Sequence, residues 1–345
     1  MPVTIREIAK AAGVSIATVS RSLNNAEHPI NEETKQRVLK IAAELGYRPN
    51  QAARNLRMDR SMMIGIITDA ENSPHSPHIP SPHTPIIIQG LQDTFRQQGY
   101  YCMVINAYWD PTTEQKEINS LLSHSVEGVV FVETWLSTAS SILDLANKPY
   151  VFAHRLFGTP KKNSIVTDDT YGGRLAINHL IKLGHRRIGH ISGPKEYYAS
   201  AERLQGYQTE LVEAGIPFDP TLVEACDDWQ LPSGYQAAQR LLENSSPPTA
   251  IFAANDRMAL GAIHAIQDAG LRVPEDIAVV GYDNEELAAL VRPSITTVSL
   301  PRYEIGQAGA RLLKKLINRE IDDSEELKIK GELIIRQSCG TYPEQ

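Results

Sequence analysis

The stretch GVSIATVSRSL, residues 13–23, decides how the N-terminal part of this chain folds. Gly13 ends a helix that begins after Thr4, because Thr4 and Glu7 form a capping box and glycine tolerates the left-handed conformation at a helix end. Ser15 is placed to cap a second helix that runs through the rest of the stretch. Two short helices joined by a turn that contains glycine predict a helix-turn-helix unit.

A third helix follows, with Asn31 as its cap and Gly46 at its end. Its apolar residues are spaced for one helical face: Val38, Ile41, Ala42 and Leu45. The three helices fit two interpretations. One is a small bundle that binds protein, and the other is a DNA-binding domain whose second helix enters the major groove.

On the DNA-binding interpretation, the side chains of the second helix divide by chemistry. Ile16 and Ala17 can pack on thymine methyl groups, and Thr18, Ser20 and Arg21 can reach phosphates or base edges. We therefore expect this helix to read the DNA sequence.

The charge of the chain is unevenly distributed. Residues 1–60 hold 10 Lys/Arg and 6 Asp/Glu, whereas the remainder holds 24 Lys/Arg and 35 Asp/Glu. A basic end on an acidic body is expected of a protein that meets a polyanion, although chance clustering in a short segment gives the same pattern.

Cysteine usage and hydropathy indicate the compartment. The three cysteines lie far apart and are odd in number, which indicates no disulfide framework and a reducing environment. No apolar run is long enough to span a bilayer, and the first residues contain no apolar signal region. We expect a cytoplasmic protein without a membrane partner.

The segment NQAARNLR, residues 50–57, has two interpretations. It could be a basic linker, because a helix of two turns is marginal in isolation. It could also be a hinge that folds only on DNA and inserts Leu56 as a wedge into the minor groove.

From Ser61 onward, apolar runs alternate with amphipathic helices, which predicts βαβ units and parallel sheets. The predicted strands lie in 63–69, 101–107, 128–134, 149–155, 187–193, 250–256 and 277–283. The predicted helices are 112–124, 171–184, 199–214, 233–244 and 256–269. A segment of this length should form two lobes, and the cleft between them is the expected ligand site.

Polar residues at the ends of the predicted strands are candidates for ligand contact. Asp69, Asn255 and Asp283 lie there, but each could instead cap the following helix, as Asp256 is expected to do. Arg203 and Trp229 add a cation and an aromatic ring, a mixture that suits a polar, ring-shaped ligand.

No catalytic motif is present: the chain contains no nucleophile elbow, P-loop, zinc-protease motif or dinucleotide fingerprint. We therefore expect no enzyme activity and no cofactor. Two alternatives to a DNA-binding protein remain: a solute-binding protein that delivers a ligand, and an α/β enzyme with a helical appendage. The basic N-terminal segment, residues 1–60, argues against the first. The absence of a recognisable set of acid and base residues argues weakly against the second.

Two groups of segments resemble the LacI/GalR family of repressors. VTIREIAKAAGVSIATVSRSLNN and ETKQRVLKIAAELGYRPNQAARNLR resemble its headpiece and hinge, and FAANDRMALGAIHAIQDAGLRVPEDIAVVGYDN is similar to its effector core. The resemblance implies the α/β fold class, with an all-α helix-turn-helix headpiece followed by a two-lobed periplasmic-binding-protein-like core of parallel sheets flanked by helices.

The resemblance also implies a domain organisation. The headpiece would be 1–48, the hinge 49–60 and the core 61–345. The lobes of the core are expected at about 61–157 and 286–321 for the N-lobe, and at about 158–285 and 322–345 for the C-lobe.

The implied function is a repressor that binds a pseudopalindromic double-stranded operator and is controlled by a saccharide between the lobes. The implied DNA-binding residues are Thr4, Ser15, Ile16, Ala17, Thr18, Ser20, Arg21, Asn24, Asn50, Ala53, Arg54 and Leu56. The implied effector-binding residues are Asp69, His154, Arg203, Trp229, Asn255 and Asp283. The chain has no C-terminal leucine heptad, so a homodimer is expected rather than a tetramer.

Two segments depart from the family pattern. Residues 71–86, ENSPHSPHIPSPHTPI, replace the usual Asn-Pro-aromatic pattern, and we expect an irregular loop at the cleft mouth or dimer face. His75, His78 and His83 leave metal binding as the alternative. His154 stands where many members carry an acid, which exchanges a hydroxyl acceptor for a possible donor.

Overall fold

The computed structural model describes residues 3–24, 30–47, 60–68, 81–106, 111–133, 145–154 and 162–340. Contacts divide the chain into two compact units, Met1–Ser61 and Met62–Gln345. In the first unit the described helices are α1 (Ile5–Ala12), α2 (Ile16–Asn24) and α3 (Glu32–Glu44). The predicted three-helix pattern is therefore confirmed.

The caps of these helices are the ones that the sequence predicts. Gly13 follows α1 with a φ of 65°, in the left-handed region. The Asn31 side chain accepts a hydrogen bond from the Glu33 amide at 2.9 Å. Leu45, which was expected on the inner face, is 42% exposed, because α3 ends one residue earlier and Leu45 lies beyond its last turn.

The second unit contains two six-stranded sheets. The first has the order β11-β5-β4-β3-β1-β2, and all its pairs are parallel. Its strands are β1 (Met63–Thr68), β2 (Tyr101–Asn106), β3 (Gly128–Val132), β4 (Tyr150–Ala153), β5 (Ser164–Thr167) and β11 (Leu327–Ile329). We call this sheet and its helices the N-lobe.

The second sheet has the order β12-β10-β9-β8-β6-β7, and only its edge pair β10–β12 is antiparallel. Its strands are β6 (Ile188–Ser192), β7 (Val223–Ala225), β8 (Ala250–Ala253), β9 (Ala278–Asp283), β10 (Thr296–Ser299) and β12 (Leu333–Ile334). We call this sheet and its helices the C-lobe. All seven predicted strands are confirmed.

The helices of the second unit lie against these sheets. They are α4 (Thr84–Gln97), α5 (Pro111–Ser123), α6 (Asp169–Lys182), α7 (Tyr198–Glu213), α8 (Leu231–Leu242), α9 (Asp256–Asp268), α10 (Glu286–Leu290) and α11 (Arg302–Ile317). The five predicted helices are confirmed. No helix in the described ranges is long and apolar enough to cross a membrane.

The expected lobe boundaries are wrong in detail. The predicted boundaries placed β5 and β11 in the C-lobe and β10 in the N-lobe, whereas the sheets contain them the other way round. These three strands have the sequences SIVT, TTVS and LKI, which mix polar with apolar residues, so none of them stands out as an apolar run. The chain therefore crosses between lobes about ten residues later than expected at each point.

The end of the Pro/His-rich segment is helical rather than irregular. Helix α4 begins at Thr84, with Pro85 in its first turn, where the missing amide proton of proline is not needed. Its buried residues include Ile87 and Leu91, which pack into the N-lobe core with Ile64 of β1. His75 and His78 lie outside the described residues.

A buried histidine makes the stability of the C-lobe sensitive to acid. His190 on β6 is fully buried, stacks on Tyr207 and Phe252, and hydrogen-bonds through Nδ1 to the Phe252 carbonyl at 3.0 Å. Burial lowers its pKa from 6.5 to about 4. The contribution of the neutral His190 ring to the free energy of unfolding is thus complete above pH 6.5, and it is lost as the pH falls from 6.5 to 4.

We predict that His190→Phe flattens this pH dependence. The parent should lose about 2 kcal/mol of unfolding free energy through His190 between pH 7.5 and pH 5. Urea unfolding at the two pH values measures the loss. The exposed His264, changed to Ala, is the control and should behave like the parent. Equal pH dependence in His190→Phe and the parent would contradict the assignment.

Candidate functional site

The first unit exposes one face of α2. The Ser15 hydroxyl caps the helix by accepting from the Thr18 amide at 3.1 Å, and the two hydroxyls lie 2.9 Å apart. Ile16 is 46% exposed, and Ala17 and Arg21 are also exposed. The helix thus presents exposed apolar side chains and an exposed arginine to solvent, as direct contact with base edges would require.

Other residues expected at this surface have different placements. Ser20 is only 8% exposed, so the structure does not bring it to the face of Ile16 and Arg21. The reason is that α2 packs against both α1 and α3 and buries a wide face. Thr4 is exposed, and its amide and hydroxyl both donate to the Glu7 carboxylate at 2.6 and 2.9 Å.

Several predicted positions cannot be placed. Asn24 ends α2, and its side chain is not among those described. The following predicted residues lie outside the described ranges: Asn50, Ala53, Arg54, Leu56 and Asp69.

Arg203 is the centre of the C-lobe half of the cleft. It lies on α7, is 3% exposed, and donates through Nε to Asp169 at 2.8 Å. One terminal nitrogen donates to the Ala254 carbonyl, and the other lies 3.4 Å from Asp283 Oδ1. Burial disfavours the charge, but the two carboxylates outweigh burial and raise the pKa of Arg203. The guanidinium also lies 3.6 Å from the centre of the Tyr282 ring.

Asn255 and Trp229 are held together at the start of α9. The Asn255 side chain caps the helix by accepting from the Met258 amide at 2.8 Å, and it donates to the Trp229 carbonyl at 3.0 Å. The expectation that Asp256 is the cap is therefore wrong, because the cap lies one residue earlier. A Cβ on Gly193 would approach the Trp229 ring to 2.3 Å, so this glycine makes room for the indole.

Asp256 supports the cleft from behind. It is fully buried, and its Oδ2 accepts from the Glu285 amide at 2.7 Å. Burial, with a further contribution from nearby Asp283, raises its pKa well above the ordinary range. Asp256 therefore stabilises the turn that follows Asp283.

The N-lobe half of the cleft contains a buried carboxylate that the sequence analysis did not select. Glu133 follows β3, and its Oε1 accepts from His154 Nδ1 at 2.9 Å, while Thr84 donates its hydroxyl to Oε2. Burial opposes its charge, but the hydrogen bond and field of His154 outweigh burial and lower the pKa of Glu133 to about 2. His154 is thus oriented by Glu133.

His83 joins the two halves of the cleft. Its ring lies edge-on to His154 at 5.8 Å between centroids, and its Nε2 is 3.6 Å from Asp283 Oδ2 of the C-lobe. Burial lowers the pKa of His83 to about 4, although Asp283 and Glu133 oppose this effect. Nδ1 of His83 is buried, and no group in the described ranges forms a hydrogen bond with it.

Three residues of the cleft adopt left-handed backbone conformations. The φ angles are 50° at Glu133, 61° at His154 and 97° at Asp283, all at the carboxyl ends of strands. Such conformations are costly for residues other than glycine and cluster at functional sites.

The structure brings together four of the predicted effector residues that it describes, Arg203, Asn255, Asp283 and His154, with Trp229 beside Asn255.

One of the missed residues, Glu133, had a usable signal in the sequence. Glu133 follows the run GVVFV in the way that Asp283 ends IAVVGYD, so the strand-end rule applied evenly would have selected it. Asp169 and Tyr282 had no such signal, because their role depends on contact with Arg203. In the described ranges, no group of three or more His, Cys, Asp or Glu side chains is placed to hold a metal ion.

Comparison with known proteins identifies both units. Residues 4–50 match "Bacterial regulatory proteins, lacI family", and residues 177–339 match "Periplasmic binding protein-like domain". Catabolite control protein A of Priestia megaterium is 34% identical over 342 residues, covering 98% of this chain and 99% of that protein. The HTH-type transcriptional repressor CytR of Escherichia coli (strain K12) is 34% identical over 341 residues, covering 99% and 97%.

Solved structures match along nearly the whole chain. The lac repressor dimer bound to operator and the anti-inducer ONPF has a TM-score of 0.80 and 31% identity, covering 98% of this chain and 99% of that one. The complex of the transcriptional regulator CelR with cellobiose has a TM-score of 0.70 and 32% identity, covering 97% and 99%. Headpiece and core therefore have counterparts joined in the same order within single proteins.

Proposed function

The chain belongs to the lacI family of bacterial regulatory proteins, and on that premise we propose that it is a transcriptional repressor whose operator affinity is controlled by a saccharide bound between its lobes. The observation that carries this proposal is the polar cluster built from both lobes. His83, Glu133 and His154 come from the N-lobe, and Arg203 and Asp283 come from the C-lobe. A ligand that contacts both halves would fix the angle between the lobes.

The headpiece supplies the DNA-binding half of the proposal. The exposed face of α2 would lie in the major groove, with Ile16 and Ala17 against the bases and Arg21 donating to a base edge or phosphate. The domains would be 1–48, a hinge at 49–60 with Leu56 in the minor groove, and 61–345. A homodimer would present two headpieces to a pseudopalindromic operator, and the lac repressor, which is similar to this chain, has been solved as a dimer bound to operator.

The effector contacts are proposed from the cleft. Arg203, Asp283 and Asn255 would bind hydroxyl groups, and Trp229 would stack on an apolar sugar face. CelR, a relative by structure, binds cellobiose. We propose no catalytic role for these residues, since the relatives are regulators.

The test first selects the operator from DNA of random sequence. It then measures how saccharide binding and operator binding change each other's affinity. The purified protein is mixed with randomised duplex DNA, and the retained fragments are sequenced. A pseudopalindromic site is expected, and a saccharide that binds the core should change its affinity in a gel shift. Operator DNA must change the saccharide affinity by the same factor. Retained fragments without any shared sequence would refute the proposal.

Arg21→Ala tests the recognition helix. It should weaken binding to the selected operator by about 1–3 kcal/mol and relax base preference at one position in each half-site. Lys40→Ala is the matched control, because Lys40 is an exposed cation on α3 that pairs with Glu44. The control should keep the parent's base preference. Unchanged base preference in Arg21→Ala would place sequence reading elsewhere.

A further inference from the structure

The charges at the cleft do not favour an anion. The described part of the site contains three carboxylates, Glu133, Asp169 and Asp283, and two guanidinium groups, Arg203 and Arg302. Two guanidinium groups against three carboxylates give this set no net positive charge. His83 is uncharged near neutral pH, since burial lowers its pKa to about 4.

Both arginines already donate to protein oxygens. Each of the three guanidinium nitrogens of Arg203 has a partner, and two of these partners are carboxylates. Arg302 donates through one terminal nitrogen to the carbonyls of Asp283 and Asn284, at 3.1 and 3.0 Å. An incoming phosphate or carboxylate that reaches the remaining N–H groups of Arg203 would lie against Asp169 and Asp283, whose charges would repel it.

The N-lobe contributes groups that suit hydroxyls. A neutral imidazole has one N–H donor and one acceptor nitrogen, which complements a hydroxyl group that also donates and accepts. His83 has a buried Nδ1 without a hydrogen-bond partner among the residues that the structure describes, and its ring lies against His154. The oxygens of a fully ionised phosphate or a carboxylate can only accept, so they would lie unfavourably against acceptor nitrogens and carboxylates.

We infer that the effector is an uncharged polyhydroxyl compound, and that Glu133 and His83 are specificity-determining residues that exclude sugar phosphates and sugar acids. This inference rests on the proposed function and narrows its ligand class. Glu133 supplies a buried negative charge, and the uncharged ring of His83 lies between the lobes with its Nε2 3.6 Å from Asp283 Oδ2.

Matched pairs of neutral and anionic probes test the inference. The melting temperature of the full-length protein and its affinity for operator DNA are measured with each probe. The pairs are glucose against glucose 6-phosphate and gluconate, ribose against ribose 5-phosphate, and cellobiose against cellobionate. For every probe family that binds, the neutral member should bind at least about tenfold more tightly than its anion, because like charges repel strongly at a buried site.

Two variants move the charge of the site in the same direction. Glu133→Gln removes a negative charge and His83→Lys adds a positive one, so each should reduce the discrimination against anions by about tenfold. Glu243→Gln is the matched control, because Glu243 is an exposed acid at the end of α8. The control should keep the parent's discrimination. Two chemically different changes keep the test valid if one variant does not fold.

The outcomes separate the inference from the proposed function. Tighter binding of a phosphate or an acid than of its neutral counterpart overturns the inference and leaves effector control intact. Operator affinity that responds to no neutral or anionic probe overturns saccharide control itself, and this inference with it. Discrimination that is equal in the parent and both charge variants removes Glu133 and His83 from the role.

Discussion

Arg203→Ala is expected to abolish the saccharide response while operator binding persists. The same change should lower the free energy of unfolding by about 3–5 kcal/mol, the usual cost of removing one partner from a buried ion pair. Asp169 and Asp283 would remain buried at 4% side-chain exposure, without their cation. Burial already raises the pKa of Asp169, and loss of the Arg203 charge should raise it further.

The controls for this prediction use two other substitutions. Arg272→Ala removes an exposed arginine that forms an ion pair with Asp276, four residues later in the chain. It should change neither the saccharide response nor the free energy of unfolding measurably. Arg203→Lys keeps the charge but loses the planar fork, so it should lose the response with a smaller loss of stability. Thermal shift and gel shift with the saccharide from the probe panel measure both effects. A normal saccharide response in Arg203→Ala would remove Arg203 from the site.

Local signals were sufficient for the headpiece and most of the core. The caps at Thr4, Ser15 and Asn31 and the stop at Gly13 are each fixed by one or two side chains, so they can be recognised without tertiary information. Long apolar runs identified seven strands for the same reason. The three- and four-residue strands β5, β10 and β11 form because a neighbouring strand is there to pair with, which a sequence window does not contain.

The residues of the candidate site also differ in whether local sequence is enough to recognise them. Asp283 was found because strand ends converge at one edge of a parallel sheet, whereas His154 was implied by the resemblance to the family. Asp169 and Tyr282 became visible only through their contacts with Arg203. Glu133 shows a different failure: its position carried the signal, but a lone acid after a strand is equally a cap. His83 was assigned to an irregular loop, although it contacts the opposite lobe.

Operator affinity is expected to fall by roughly 10³–10⁵-fold between 50 and 200 mM salt. Residues 1–60 have a net charge of +4, from 10 Lys/Arg against 6 Asp/Glu, and the remainder has 24 against 35. The acidic core is repelled by phosphates, so the contacts must come from the headpieces, and a dimer presents each basic residue twice. Each phosphate contact releases bound cations from DNA and steepens the salt dependence.

The same titration distinguishes how the saccharide acts. If it withdraws the headpieces from the operator, the slope of log affinity against log salt should be shallower with saccharide than without, since fewer phosphates are neutralised. Binding of an uncharged saccharide to the core should itself vary little with salt in the absence of DNA. Gel shifts at four salt concentrations, with and without saccharide, provide both slopes. A lower affinity at an unchanged slope would mean that the saccharide weakens base contacts while the phosphate contacts remain.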